Sequence, residues 1–253
     1  MKGGKKMKRK VLQMMLLGIA IFGIMSKAYA NESVYYTTPN GIELTEREYN
    51  FLTTFYWDNY VNIMTEEQYE EFANSDLLER ELITSSSNEN MCSPQGTSHT
   101  TPYKNLKISA ACSSGNCSVS LVNTWLVNPS VRSYDVIGFF LNGPSLISYV
   151  TATVSNSTTT YYYNNVKTDY GSNYTGFGNS VLLPSGTNLI VNQVITTTTG
   201  GTIYGSYQHA VENVTLPVSK SYTFSIGGYG RVFSFYGNAV GKYDGMGGVE
   251  IIV

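Results

Sequence analysis

Three side chains that could bind or transform a ligand lie within four residues of one another: Arg132, Tyr134 and Asp135. A guanidinium and a carboxylate at this spacing can pair with each other, bond the backbone of a loop or hold a ligand. Pro129, three residues before Arg132, cannot donate a backbone hydrogen bond and therefore marks the end or the edge of a strand. An alternating apolar run follows. We interpret this stretch as a structural corner that leads into a strand, and a ligand contact by Arg132 is the second interpretation.

Carboxylates and histidines, which general acid–base catalysis requires, are scarce in the second part of the chain. The histidines are His99 and His209, and the sequence contains no metalloprotease, nucleophile-elbow, P-loop or dinucleotide-binding motif. The carboxylates after residue 90 are Asp135, Asp169, Glu212, Asp244 and Glu250. Because these residues are far apart in sequence, we predict a protein that is not an enzyme and needs no cofactor. A secreted hydrolase that uses Asp135 or His209 is the third-ranked function.

Tyrosine is unusually abundant, with 21 in the chain. Tyrosine offers a large, rigid contact surface with a polar tip and is enriched where proteins bind partners. With few charges nearby, such a surface suits an extracellular glycan or protein as ligand, and we predict a binding protein on this basis. The residues predicted to form the binding surface are Tyr161, Tyr163, Tyr204, Tyr207 and Arg132. The alternative is that many of these tyrosines fill the core or a sheet edge.

The elements that position these residues are predicted to be strands, from residue 103 to residue 253. Apolar and polar residues alternate over residues 104–110, 117–125, 133–141, 146–154, 188–197, 220–227, 231–240 and 249–253. Many short strands at even spacing predict a mainly-β domain, an antiparallel β-sandwich. Residues 151–166 and 188–208 also resemble the Ser/Thr-rich membrane hairpins of pore-forming proteins. A β-pore-forming or membrane-active protein is therefore the second-ranked function.

Residues 31–83 predict a short acidic helical hairpin that precedes the β-sandwich. The capping boxes are Thr45 with Glu48 and Thr65 with Gln68, and the apolar stripe is Tyr49, Leu52, Tyr56 and Tyr60. These signals place helices over residues 46–61 and 66–74. Two short helices bury too little surface to stand alone, so they either dock on the β-domain or form a detachable module. Residues 84–102 have the composition of a linker.

The first thirty residues have the features of a secretory signal peptide. Basic residues precede the apolar stretch Val11–Met25, and Ala28 and Ala30 occupy the small-residue positions of a cleavage site. The stretch is short for a membrane span, so we predict cleavage after Ala30 and a secreted or cell-surface protein. Cleavage removes seven basic residues and leaves a net charge of −9. That charge argues against a nucleic-acid partner and against electrostatic docking on anionic lipid.

Three cysteines suit an exported protein. Cys112 and Cys117 bracket a turn sequence between two predicted strands, so a disulfide across the hairpin is sterically plausible. Cys92 could instead pair with either of them or remain a free thiol. We expect no metal site, because three cysteines without a neighbouring histidine do not form a tetrahedral zinc site and Asp244 alone does not form a calcium loop.

Four segments together, NGIELTEREYNFL, MTEEQYEEF, VRSYDVIG and KYDGMGGV, resemble a family of uncharacterised secreted proteins from Gram-positive bacteria of the clostridial kind. The resemblance covers most of the chain that would remain after cleavage. It implies export and a two-part architecture, and it implies no catalytic residues.

Overall fold

The structure, a computed structural model, describes residues 33–57, 59–83, 98–149, 151–171, 174–226, 232–244 and 247–253. The predicted signal peptide, Cys92 and most of the predicted linker lie outside these residues. What the sequence predicts for them therefore stays a prediction.

Antiparallel strands account for most of the regular structure. The strands are β1 (Tyr36–Thr37), β2 (Glu43–Leu44), β3 (Glu81–Ile83), β4 (Ser98–Thr100), β5 (Lys104–Ser113), β6 (Asn116–Trp125), β7 (Tyr134–Asn142), β8 (Leu146–Tyr149), β9 (Ala152–Ser155), β10 (Thr160–Tyr163), β11 (Val166–Gly171), β12 (Tyr174–Leu182), β13 (Ile190–Thr198), β14 (Thr202–Gln208), β15 (Tyr222–Phe224), β16 (Phe233–Phe235) and β17 (Val249–Ile252). The helices are α1 (Glu46–Phe55), α2 (Tyr60–Ile63), α3 (Glu66–Ala73) and α4 (Leu216–Ser219), with 3₁₀ turns at Leu77–Glu79 and Gly237–Ala239.

Two sheets face each other across a common core. The larger sheet has the strand order β10-β9-β13-β6-β5-β3, with β4 also paired to β5 and β8 also paired to β13. The smaller sheet has the order β11-β12-β7-β14-β17. Apolar side chains from both sheets belong to one buried cluster, for example Ile108 and Leu121 from the larger and Phe139 and Ile203 from the smaller. The alternation in the sequence places these side chains on the inner faces, and the predicted mainly-β, sandwich-like fold is confirmed.

Several predicted boundaries differ in the structure. Residues 146–154 form two strands, β8 and β9, and both pair with β13. Among the described residues of 220–227 and 231–240, the strands are the short β15 and β16. The end of the predicted linker is ordered, because β4 pairs with β5. β11 and β12 lie outside the strands that the alternation predicts.

The helical segment covers the outer face of the larger sheet. Both predicted capping boxes are present, at Thr45 and Thr65, but α1 ends at Phe55 and not at residue 61. The side-chain hydroxyl of Ser109 on β5 donates a hydrogen bond of 2.8 Å to the carbonyl of Phe55, and Nζ of Lys107 donates to the carbonyl of Thr54. Residues 34–253 form one compact unit. The interpretation that the hairpin docks on the β-domain is therefore correct.

The outer face of the smaller sheet carries a second cover, the two-stranded β15–β16 hairpin. Its aromatic residues pack on Val136 and Phe140 of β7. The close approach needs glycine at residue 176, because a Cβ there would lie 2.4 Å from Cγ of Phe224. The sandwich is thus covered on both outer faces by short elements rich in aromatic residues.

Cys112 and Cys117 form the predicted disulfide. They lie opposite each other in the β5–β6 register, and the turn between them uses positive φ angles at Ser114 and Gly115. Two residues with positive φ match the right-handed twist of a tight hairpin, so the turn itself brings the two cysteines together. No helix in the described ranges is long and apolar enough to cross a membrane.

Candidate functional site

Three aromatic side chains at the end of α1, Tyr56, Trp57 and Tyr60, form a ridge on the outer face of the larger sheet. The turn between α1 and α2 places Trp57 against Val122 of β6 and Ile190 of β13. The rings of Tyr56 and Tyr60 stack with their centroids 4.4 Å apart, and Trp57 meets Tyr60 edge-on at 4.7 Å. These contacts hold the three rings as one rigid surface with polar tips. We call it the aromatic ridge.

A first cavity of about 260 Å³ is lined by all three residues of the aromatic ridge. Its other lining residues include the polar Gln68 from α3, Thr153 from β9 and Asn192 from β13, together with apolar side chains such as Phe72 and Val194. Glu71 also lines this cavity. Aromatic rings, amides and hydroxyl groups therefore line a space large enough for a small ligand.

A second cavity of about 640 Å³ is lined by Tyr56 and Trp57 as well. Its polar residues include Asn59, Asn105 and Asn188, and Trp125 and Leu126 line it as well. The two cavities share part of the aromatic ridge as a wall. We call the ridge and both cavities together the aromatic groove.

The chemistry of the aromatic groove is close to neutral. Burial, with a smaller contribution from Glu71, raises the pKa of Tyr56 to about 12, and burial also raises the pKa of Tyr60. Both phenols therefore remain uncharged hydrogen-bonding groups near neutral pH. Nε1 of Trp57 is buried and has no hydrogen-bond partner among the described residues. Such a site suits an uncharged ligand with many hydroxyl groups.

The predicted binding tyrosines lie elsewhere and apart from one another. Tyr161 and Tyr163 are on β10 at the edge of the larger sheet, where Tyr161 is exposed and the hydroxyl of Tyr163 donates to the carbonyl of Leu182 at 2.8 Å. Tyr204 packs against Phe140 on the outer face of the smaller sheet. Tyr207 is fully buried in the core. These residues therefore do not form one surface.

Arg132 closes the corner that opens β7. Its guanidinium donates hydrogen bonds to the carbonyls of Pro129 at 3.2 Å, Pro184 at 2.6 Å and Gly186 at 3.0 Å. The guanidinium thus ties two loops together through backbone oxygens. This arrangement agrees with the interpretation of the stretch as a structural corner.

A buried polar cluster lies inside the sandwich, where the end of β14 meets the starts of β5 and β7. Nδ1 of His209 lies 3.0 Å from both carboxylate oxygens of Asp135, and the hydroxyl of Tyr207 also donates to Asp135. Nε1 of Trp125 donates to the Tyr207 hydroxyl at 3.2 Å. Burial raises the pKa of Asp135. An Asp–His pair needs a nucleophile to act in acyl transfer, and no Ser, Thr or Cys of the described part hydrogen-bonds to this imidazole.

The same cluster contains an ion pair between Lys104 of β5 and Asp244. Asp244 is held by His209, whose backbone N–H donates to Oδ1 at 3.1 Å. The sequence indicated Asp135, His209 and Asp244 as separate candidates, and the fold brings them together. Sequence reasoning did not single out Lys104. The described part of the chain has no group of three or more His, Cys, Asp or Glu side chains that could hold a metal ion.

The sequence assigned Tyr56 and Tyr60 to the apolar stripe of one continuous helix and did not single out Trp57. A usable signal was present, since three aromatic residues within Tyr56–Tyr60 exceed what one helix stripe requires. The fold and this groove define a mainly-β, sandwich-like protein with an aromatic site under a helical cover. A scan against protein-family models and a search of the curated proteins each find no match. The resemblance to secreted proteins of Gram-positive bacteria therefore stays a prediction.

Proposed function

We propose that this chain is an exported, non-enzymatic binding protein that holds a glycan in the aromatic groove. One observation carries the proposal: the aromatic ridge lines two adjoining cavities together with amide and hydroxyl side chains. Sugar rings present apolar C–H faces and hydroxyl edges. Aromatic rings pack on the C–H faces, and amide side chains form hydrogen bonds with the hydroxyl groups.

A glycan fits the groove better than a folded protein does. The polar residues of the groove are mostly amides and hydroxyls, and the two cavities have volumes of about 260 and 640 Å³. A protein partner needs a broader surface, with roughly 800 Å² buried on each side. Export to the cell surface or medium, where such glycans occur, is the location that the signal peptide predicts.

A glycan array probed with the protein lacking residues 1–30 tests the proposal directly. We expect binding to a defined class of oligosaccharide, and quenching or a shift of tryptophan fluorescence on titration, because Trp57 and Trp125 both line the groove. A blank array would contradict the proposal. Leakage of liposomes without glycan binding would instead favour the membrane-active alternative.

The change Tyr60→Ala removes one ring of the stacked pair and should weaken binding about tenfold or more, as loss of an aromatic anchor does. The matched control is Tyr161→Ala, which removes an exposed tyrosine of β10 that is not among the groove-lining residues. Affinity should be unchanged in the control. Tyr60→Ala should also lower the unfolding temperature, because Tyr60 packs on Tyr56 and Trp57, so binding is measured at a temperature at which circular dichroism shows both variants to be folded. Equal affinities for Tyr60→Ala and Tyr161→Ala would refute the assignment of the site.

A further inference from the structure

Lys104 is placed where a charged amine is costly. Its side chain is completely buried, and Nζ lies 5.3 Å from the ring centroid of Tyr207, 5.5 Å from that of Trp125 and 5.8 Å from that of Tyr103. Removing an ammonium from water into such surroundings carries a large desolvation penalty. The rings recover only part of that penalty through cation–π attraction.

Asp244 presents its carboxyl group to this amine in a fixed orientation. Its backbone N–H donates to the carbonyl of His209 at 2.9 Å, and the N–H of His209 donates to Oδ1 at 3.1 Å. Oδ2 contacts Nζ of Lys104, and the Asp244 side chain is only 12 % exposed. One carboxylate oxygen is thus held by the backbone while the other faces the amine.

The surroundings favour the uncharged form of Lys104. Burial lowers the pKa of Lys104, although Asp244 and Asp135 oppose that effect. Burial also raises the pKa of Asp135, which reduces the negative charge available to keep the ammonium. A desolvated neutral lysine is a nucleophile.

We propose that Lys104 and Asp244 are a site of covalent self-modification, in which Nζ of Lys104 and Cγ of Asp244 form an intramolecular amide bond. One proton passes from the Lys104 ammonium to the Asp244 carboxylate that it contacts. The neutral amine then attacks Cγ of the carboxyl group, so the N–C bond forms. The C–O bond to the hydroxyl oxygen then breaks. The amine gives up one proton to that oxygen, which leaves as water. Amine and carboxylic acid become amide and water, and the reaction needs no oxidant, reductant or cofactor.

Two physical effects favour the bond at this place. The fold holds both groups in contact, which replaces a bimolecular encounter with an intramolecular one, and effective molarities of about 10⁵ M or more are known for well-oriented pairs. The product amide carries no charge, so the desolvation penalty of two buried ions disappears. A dry site also opposes the reverse reaction with water.

The bond would join distant parts of the chain. Lys104 begins β5 in the larger sheet, and Asp244 lies shortly before β17 in the smaller sheet, 140 residues further on. It would therefore tie the two sheets together at one end of the sandwich. A cross-link between such distant residues strongly restricts the unfolded chain.

Intact-mass spectrometry of the denatured and reduced protein tests the proposal. We expect a mass about 18 Da below that calculated from the sequence, which corresponds to one lost water, and a proteolytic peptide pair joined through Lys104 and Asp244. Reduction must not restore the mass, because reduction opens only the Cys112–Cys117 disulfide. A wild-type protein of unaltered mass would overturn the proposal without the need for any variant.

Variants identify the atoms involved. Lys104→Met and Asp244→Ala should each have the full calculated mass. Lys242→Met should keep the deficit, since Lys242 forms a partly exposed ion pair with Glu212 only two residues from Asp244. A succinimide at Asp244, which precedes Gly245, loses the same mass but would persist in Lys104→Met and give no joined peptide pair. Persistence of the deficit in Lys104→Met would therefore refute the amide bond.

Discussion

The contact between Gly176 of β12 and Phe224 of β15 offers a quantitative test of how the aromatic hairpin β15–β16 is held. A Cβ at residue 176 would lie 2.4 Å from Cγ, 2.5 Å from Cβ and 2.8 Å from Cδ1 of Phe224. These separations are far below van der Waals contact, so either the β15–β16 hairpin or β12 has to move. Gly176 does not have a positive φ, so alanine introduces a steric conflict there and no backbone strain.

Gly176→Ala should destabilise the protein by about 1–3 kcal/mol, the usual cost of overpacking a tight contact. The upper limit is set by detachment of Phe224, because exposing a buried phenylalanine costs about 1.5–3 kcal/mol. With an m-value of about 3 kcal/mol/M, the urea midpoint should fall by about 0.3–1 M. Equilibrium unfolding in urea, followed by tryptophan fluorescence, measures the shift.

Two further variants separate this contact from a general effect of mutation. Thr223→Ala changes an exposed neighbour of Phe224 and should cost less than about 0.5 kcal/mol. In a Phe224→Gly background, which removes all three opposing atoms, Gly176→Ala should also cost less than about 0.5 kcal/mol. An equal cost of Gly176→Ala in both backgrounds, or no cost in either, would refute the steric argument.

Two other predictions concern the corner and the buried cluster. Arg132→Ala should lower the free energy of unfolding by about 1–3 kcal/mol, because it removes hydrogen bonds from a charged donor to three backbone carbonyls. Equilibrium unfolding in urea measures this loss. Full stability in Arg132→Lys, which lacks the forked guanidinium, would contradict the explanation. Asp135 should stabilise the protein most at acid pH. Burial raises its folded pKa above the usual 3.8, so its contribution is fully present below 3.8 and is lost as the pH rises through the folded value. The stability of wild type relative to Asp135→Asn should therefore fall with rising pH in a series of urea titrations, and a difference that grows with pH would contradict the shift.

The parts of the fold that were predicted well from the sequence are those determined by residues close together in the chain. The capping boxes at Thr45 and Thr65 each depend on residues three positions apart, and the disulfide hairpin depends on a turn of two residues between β5 and β6. Alternation was clear in β5, β6 and β7, because each buries one face in the common core. Features of this kind are determined within about ten residues of chain.

Strand β12 was not predicted, because the types of its residues depend on contacts with residues that are distant in sequence. Residues 176 and 178 are glycine, which leaves room for aromatic residues of the β15–β16 hairpin to approach. In a single sequence, however, glycine is a signal that favours a turn. Asn179 is buried and polar, since its amide oxygen accepts from Nε2 of Gln193 at 2.6 Å and its Nδ2 donates to the carbonyl of Tyr163 at 3.0 Å. A buried amide pair of this kind removes the alternation on which the prediction of a strand relies.

The end of α1 was also predicted wrongly because a contact between residues distant in sequence determines it. The spacing of Tyr56 and Tyr60 suits a continuing helix, but the chain leaves the helix after Phe55 so that Trp57 can pack on Val122 and Ile190. Burial of one indole against the sheet outweighs the modest helix propensity of the residues that follow. The aromatic groove exists only because of this tertiary contact, and periodicity alone could not predict it.

The buried polar cluster required pairing across the whole domain. Lys104, Asp135, His209 and Asp244 come from separate parts of the chain, and they meet only because β5, β7, β14 and the segment before β17 converge at one end of the sandwich. The sequence showed each ionisable residue as isolated, and a lysine at the start of a strand is usually exposed. Only the fold shows that Lys104 is buried.

Trp125 connects the buried cluster with the aromatic groove. Its indole lines the second cavity, donates to the hydroxyl of Tyr207 and meets the ring of His209 edge-on at 4.6 Å. Nζ of Lys104 lies over the same indole. A wall fixed from behind in this way loses little conformational entropy when a ligand binds in front of it, and such preorganisation raises affinity without adding any contact. An amide bond between Lys104 and Asp244 would increase that rigidity at the point where the cluster supports the groove. The covalent link and the binding site that we propose are therefore physically compatible, although each rests on its own observations.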